Sequence, residues 1–172
     1  SNISAVSILG KISFDKKEIE KILNLRVGKP FNIIELGNNY SNLEFEYHKI
    51  GKLFFNLEQE YIPSENIELN LKVDEGPDVF IDKIILRGLE QVDSLYVLRE
   101  LAFKSEEKYN SEKIILTERH IFETSLFSMV NILPEKSIRS GNWVNVIIDV
   151  KELEKRNLLI EPGFAHIPSS SS

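Results

Sequence analysis

The sequence predicts an α+β fold of two tandem β-α-α-β-β units, each a three-stranded mixed sheet covered on one face by two helices. Three observations predict it. The first is the stretch Leu69–Gly88, in which two segments of period-two apolar alternation flank Glu75-Gly76-Pro77-Asp78. Leu69, Leu71 and Val73 lie before the turn; Val79, Ile81, Ile84 and Leu86 follow it, with one shift at Asp82-Lys83. The second is a stripe at helical spacing, Leu36, Tyr40, Leu43, Tyr47 and Ile50. The third is recurrence: Gly10 and Gly88 each close a strand, and Phe31-Asn32 and Tyr109-Asn110 each precede the longer helix, both pairs offset by 78 residues.

Glu75-Gly76-Pro77-Asp78 is the centre of this organisation. Gly76 tolerates positive φ, and Pro77 fixes φ and lacks a ladder donor, so one sheet is not expected to run straight through. A generic hairpin turn is the alternative reading. The recurrence favours a junction, giving units at 3–76 and 77–155 and a linker at 156–172.

In the first unit Ile3–Leu9 reads as a strand. Asp15, with Glu18 three residues on, has the spacing of a capping box for a short helix carrying Ile19, Ile22 and Leu23. The long helix ends at Gly51; Leu53–Tyr61 and Ile67–Val73 then read as strands around Pro63-Ser64-Glu65-Asn66. In the second unit Val79–Leu86 is a strand, and Asp93-Ser94 opens a short helix with Val97, Leu98 and Leu101 on its apolar side. The longer helix is expected from Ser111, burying Ile115, Phe122 and Leu126, with Arg119 snorkelling past an apolar position. Phe127–Leu133, a polar turn at 134–142 and Trp143–Val150 complete it, with Val144, Val146, Ile148 and Val150 on one face.

Composition removes several functions. The net charge is -6, and both halves are mildly acidic: residues 1–78 carry 9 Lys/Arg against 13 Asp/Glu, and 79–172 carry 12 against 14. No basic stripe marks a nucleic-acid partner. Without cysteine there is no disulfide and no thiolate chemistry. No apolar run approaches the ~18 residues of a membrane-spanning helix. Ser1-Asn2 reads as a cloning remnant, so the chain is expected to be part of a longer protein. His48, His120 and His166 lack metal-ligand spacing, Gly28 lacks the company of a phosphate loop, and Ser125 lacks the glycines of a nucleophile elbow. Glu44 with Glu46 and Glu106 with Glu107 read as solvated surface. No catalytic residue, metal ligand or cofactor is expected.

The order of motifs resembles tandem POTRA domains. The residues that carry the resemblance are Leu25-x-x-Gly28-x-Pro30-Phe31, Tyr47-x-x-x-Gly51-x-x-Phe54, and Val73-x-Glu75-Gly76 running into Ile84-x-Leu86-x-Gly88. The second unit departs from the pattern, with Glu106 near the place of Gly28, Tyr109 for Phe31, and Ser125-Leu126 near the place of Gly51. The tail through Leu158-Leu159-Ile160 and Pro162-Gly163-Phe164 resembles the passage into a first barrel strand.

Such domains precede the membrane barrel of BamA- and TamA-type proteins. The resemblance implies a non-catalytic periplasmic module of an outer-membrane protein. Its partners would be unfolded or extended outer-membrane polypeptides, periplasmic or lipoprotein accessory factors, and a C-terminal membrane barrel in the parent protein. The entrance of a pore for a dedicated secreted protein and a single-span envelope scaffold are the alternatives. The resemblance also places the returning strand at the sheet centre and Leu53–Tyr61 and Phe127–Leu133 at edges, where an extended guest can add a strand. Leu53, Phe54, Phe55 and Leu57, and Phe127, Met129 and Val130, are then the candidate flanking residues. Glu58 and Glu60 are candidates for protecting the first edge. Glu75, Gly76, Pro77 and Asp78 form the candidate interdomain joint.

Overall fold

The computed structural model describes residues 1–10 and 13–154. The expected linker at 156–172 lies outside the described residues. The element order is β1 (Asn2–Leu9), α1 (Lys16–Ile22), α2 (Ile33–Lys49), β2 (Asn56–Ile62) and β3 (Asn66–Asp74), then β4 (Phe80–Arg87), α3 (Leu95–Leu98), α4 (Ser111–Glu123), β5 (Phe127–Lys136) and β6 (Trp143–Glu152). Each half forms a three-stranded mixed sheet, ordered β1-β3-β2 and β4-β6-β5. The returning strand is central in both, parallel to the first strand and antiparallel to its hairpin partner.

Local chemistry explains the helix starts. Asp15 and Glu18 close a reciprocal capping box on α1. Asn32 and Asn110 sit in extended backbone and accept the first free N–H groups of α2 and α4. On α2, Leu36, Leu43 and Tyr47 are buried, and Tyr40 and Ile50 pack against them half-buried. Leu69, Leu71 and Val73 of β3 complete the first core, where Tyr47 stacks on Phe55 at 4.2 Å between ring centroids. The second core is built from Val144, Val146, Ile148 and Val150 of β6 with Val79, Ile81 and the inner faces of α3 and α4.

The repeat reaches the backbone bonds. The Ile3 N–H donates to the Lys29 carbonyl and the Gly28 N–H to the Ile3 carbonyl; 78 residues on, Ile81 donates to Glu107 and Glu106 to Ile81. Glu106 holds the positive φ that Gly28 holds in the first unit, and Ser125 ends α4 at positive φ as Gly51 ends α2. These loops lie along the starts of β1 and β4.

Four expectations are corrected. The second strand starts at Asn56, because Lys52–Phe55 form a turn in which the Phe55 N–H donates to the Lys52 carbonyl. The β5–β6 hairpin is longer, since β5 runs to Lys136 and shortens the turn to 137–142. On α3 Leu98 is exposed, because only one turn forms and Val97 alone is buried. On α4 the buried residues are Ser111, Ile114, Thr117 and Ile121, not Ile115 and Phe122. The capping bond at Asn110 sets the start of the helix, and the Thr117 hydroxyl, fully buried, accepts from the Ala102 N–H and donates to the Lys113 carbonyl, each at 2.9 Å. Those bonds turn Ile114 and Ile121 inward. Ile115 and Phe122 are left 47% and 56% exposed, and Leu126 lies beyond the helix, half-buried. Arg119 is exposed as well, so it covers no apolar core position.

Candidate functional site

Each sheet has two edges. The β1 and β4 edges are met at their starts by the loops ending in Pro30 and Lys108. β2 and β5 form the opposite edges, and β5 lies beside the long helix of its unit, α4.

The seven candidate edge residues separate sharply. Leu53, Phe54 and Phe55 precede β2 rather than belonging to it. Phe55 is buried between Tyr40 and Tyr47, Leu53 packs against the second unit's core, and Phe54 lies against Gly76. Leu57 is in β2, half-buried against the first core. Phe127 is buried in the second core. Ser128 is the extra residue of a β-bulge, which re-aims the strand: Val130 pairs with Val150 on the helix side, and Met129 lies 46% exposed.

Val130 lines a cleft of about 250 Å³ with Ile115, Phe122, Glu118 and Arg119. Ile115 and Phe122 lie on the same helix face, at i and i+7, about two turns apart, with Glu118 and Arg119 between them alongside β5. The α2 positions 78 residues before Ile115, Glu118, Arg119 and Phe122 are Gly37, Tyr40, Ser41 and Glu44. The first unit's edge strand carries Glu58 and Glu60, with Glu58 3.6 Å from Lys72. The apolar groove described is that of the second unit. Sequence periodicity missed this because Ile115 and Phe122 were assigned to the core; the recurrence at 78 pairs Ile114 and Ile121 with Leu36 and Leu43, and was the signal that separates the two strips.

The four joint residues also differ in role. Glu75 is buried and turns back into the first unit, where its carboxylate accepts from the Ser13 N–H and, at 2.8 Å, from the Ser13 hydroxyl. Glu152 does the same service in the second unit, accepting from the N–H groups of Glu90, Gln91 and Val92. Gly76 is at positive φ, its N–H donates to Asp74, and Pro77 leads into Asp78. Asp78 lies between Lys52 of the first unit at 3.1 Å and Lys108 of the second at 3.4 Å. The Val79 N–H donates to the Gly51 carbonyl at 2.9 Å, and the Ser111 hydroxyl donates to the Phe45 carbonyl at 3.2 Å. A side chain at Gly51 would strike the Lys108 stem.

The ionisable groups are shifted by structure. Burial, and then the Glu75 carboxylate, raises the Tyr47 hydroxyl; burial pushes Tyr109 up to about 12. Burial lowers His48, whose Nε2 has no hydrogen-bond partner. Among the described residues no group of three or more His, Asp or Glu is placed to hold a metal ion, and no helix is long and apolar enough to cross a membrane. A larger cleft of about 700 Å³ lies at the far end of the second unit, between Gly88–Val92, Ser125-Leu126 and Val150–Glu154. It adjoins the point where the chain passes out of the described residues.

The family model POTRA, described as surface antigen variable number repeat, matches residues 1–76. The first unit is a POTRA domain. The second carries the same fold, so the chain is a tandem of POTRA folds. A structure of Haemophilus influenzae BamA POTRA3-5 superposes with a TM-score of 0.75 at 17% identity, over 88% of this chain and 61% of that one. BamA from Haemophilus ducreyi lacking POTRA domains 1-3 gives 0.74 at 17% identity, over 89% and 30%. POTRA1-2 of the periplasmic domain of Omp85 from Anabaena gives 0.54 at 9% identity, over 89% and 97%. The chain thus spans less than two thirds of either BamA structure, and the likeness is one of fold. No curated protein matches.

Proposed function

We propose that the chain is a non-catalytic periplasmic module of an outer-membrane protein, and that it receives extended polypeptides during outer-membrane protein assembly and insertion. The POTRA match and the BamA-like fold support the setting. The observation that carries the binding role is the apolar groove between α4 and the edge strand β5. A guest strand beside β5 gains main-chain hydrogen bonds, which need no particular sequence. Its alternate side chains then fall into the groove lined by Ile115, Phe122 and Val130. The remaining side chains fall on the sheet's other face beside Met129, Asn131 and Leu133, two of them exposed apolar groups. The accepted guest is therefore an extended segment with apolar residues at every second position. Accessory factors and a following barrel remain partners that the POTRA fold suggests.

The test is a titration of the isotopically labelled 172-residue chain with an unfolded peptide of that alternating pattern. Amide shifts are expected to concentrate on 115–122 and 127–133. Phe122→Glu is at an exposed position and leaves the fold intact, but removes roughly 100 Å² of apolar contact. That is roughly 2 kcal/mol, or about thirtyfold in Kd. Shifts spread evenly over both units, or a Phe122→Glu chain that binds as tightly as its parent, would sink the proposal.

A further inference from the structure

We infer that Pro134 ends the edge that β5 offers, so that a guest is held over only about five residues, from Val130 to Pro134. The inference rests on the reading of β5 as a site of strand addition, and it narrows that reading to short segments.

Which backbone groups of β5 face a guest follows from its pairing with β6. In an antiparallel pair, residues alternate between those that exchange both main-chain bonds with the partner and those whose N–H and C=O point away from it. The Ser137 N–H donates to the Trp143 carbonyl, so Ser137 faces β6. Counted back in twos, Glu135, Leu133 and Asn131 face β6 as well, and Pro134, Ile132 and Val130 face outward. The other end of the ladder gives the same set. There the Leu153 N–H donates to the Leu126 carbonyl, and with Ser128 as the extra residue of the bulge, Met129 faces β6 and Val130 faces out. The side chains agree: Ile132 is buried in the second core and Val130 lines the groove, both on the helix side.

Proline sits in a strand where its missing N–H faces no partner strand. Pro134 does so, and β5 runs on through it to Lys136, still paired with β6. The inner ladder is whole and the outer one is broken. Up to this point a guest finds the N–H groups of Val130 and Ile132 as donors, and their carbonyls with that of Pro134 as acceptors. The guest carbonyl that comes opposite the Pro134 nitrogen has nothing to accept from, and a polar group that leaves water without a partner opposes binding. In the first unit the hairpin's proline, Pro63, follows the last residue of β2 and interrupts no strand. At the other end of the window the bulge at Ser128 bends β5. Bulge and proline together leave about half of the ~9–11 residues of a strand that crosses a membrane. Such a strand is therefore held by part of its length, and the remainder is free to pair elsewhere.

The test compares two peptides of the alternating pattern, one of seven residues and one of eleven, on the 172-residue chain and on Pro134→Val. In the parent, the eleven-residue peptide is expected to slow hydrogen exchange of the Val130 and Ile132 amides at least about tenfold and to leave that of Lys136 unchanged. Its Kd is expected within about twofold of the shorter peptide's. In Pro134→Val the valine restores the donor, so the Lys136 amide slows too and the longer peptide binds about fivefold tighter than the shorter one. Slowed exchange at Lys136 in the parent, or equal gains from the longer peptide in the two chains, overturns the inference and leaves strand addition at β5 standing. Val130 and Ile132 amides that exchange equally fast with and without peptide sink strand addition itself, and this inference with it.

Discussion

Gly88→Ala tests the description of the second unit at its tightest point. Gly88 follows β4 at φ +90, and an added methyl would fall far inside van der Waals contact with the Val150 carbonyl oxygen of β6. The Val150 atoms that the methyl would meet are backbone, so no rotamer relieves the clash. Left-handed backbone in a non-glycine residue costs about 1–2 kcal/mol, and overpacking against an unyielding neighbour adds about 1–3 kcal/mol. The expected loss is therefore about 2–5 kcal/mol, against a stability of about 4–11 kcal/mol for a unit of this length. The single tryptophan, Trp143, begins β6 with its ring under the Arg139 guanidinium at 3.5 Å, so urea unfolding followed by its fluorescence reports on this unit. At a slope of about 1 kcal/mol per molar urea, the midpoint should fall by about 2 M or more. Gly10→Ala makes the same clash with the Val73 carbonyl in the first unit and should lower the unit-one transition seen by circular dichroism while sparing the tryptophan signal. A Gly88→Ala chain within about 0.5 kcal/mol of its parent, an ordinary surface effect, would refute the reasoning.

Two further outcomes follow from single side chains. Thr117→Val keeps the shape but leaves the Ala102 N–H without its acceptor, so the Trp143 transition should lose about 1–3 kcal/mol; Thr117→Ser, which keeps the hydroxyl, should recover most of that loss, and equal losses would assign the effect to packing. Asp78 is held below the usual carboxylate range by the Lys52 hydrogen bond first and the Lys108 charge after it. A depressed carboxyl stabilises the folded joint above its unfolded pKa of about 3.9 and loses that contribution as pH falls through the lower folded value. Distances between spin labels on the two units should therefore broaden below about pH 4, modestly, because Asp78 is 40% exposed and such pairs are worth at most about 1 kcal/mol. Asp78→Asn should be broad at every pH, and a parent chain whose distribution ignores pH would remove the joint's charge from the account.

The elements were legible because each rests on a local signal: the 78-residue recurrence, the apolar stripe of the long helix, the Asp15–Glu18 box and the alternating strands. The central position of β3 and β6 came from family resemblance, since strand order depends on long-range pairing that periodicity does not encode. The groove was misread for a physical reason. On α4, Ile114–Ile121 and Ile115–Phe122 are neighbouring strips of equal spacing, and a hydrophobic pattern alone favours the larger side chains. What selects the inner strip is a buried hydroxyl, Thr117, that reads as polar in the sequence. The error at Leu53–Phe55 has a similar origin. Three consecutive apolar residues resemble a strand start, but they serve three destinations: the second core, the Gly76 turn and the first core.

These corrections bear on how the two units divide their work. Relative to α4, α2 has one more turn, and that turn delivers Lys49, Gly51 and Lys52 to the joint. At the positions that match Ile115, Arg119 and Phe122 it carries Gly37, Ser41 and Glu44, and its edge strand carries Glu58 and Glu60, charges that discourage strand addition. The first unit is thus specialised at its ends, where apolar residues are bare on one side and a backbone carbonyl receives the next unit on the other. In the second unit the apolar surplus has moved to the helix flank, beside β5. If edge capture were a general property of the fold, both units would carry apolar residues at these matching positions. The Glu44→Phe exchange, which gives α2 the residue that α4 has at this place, therefore separates fold from lining: a first unit that begins to bind the alternating peptide shows that the lining decides, and one that stays inert shows that its charged edge does.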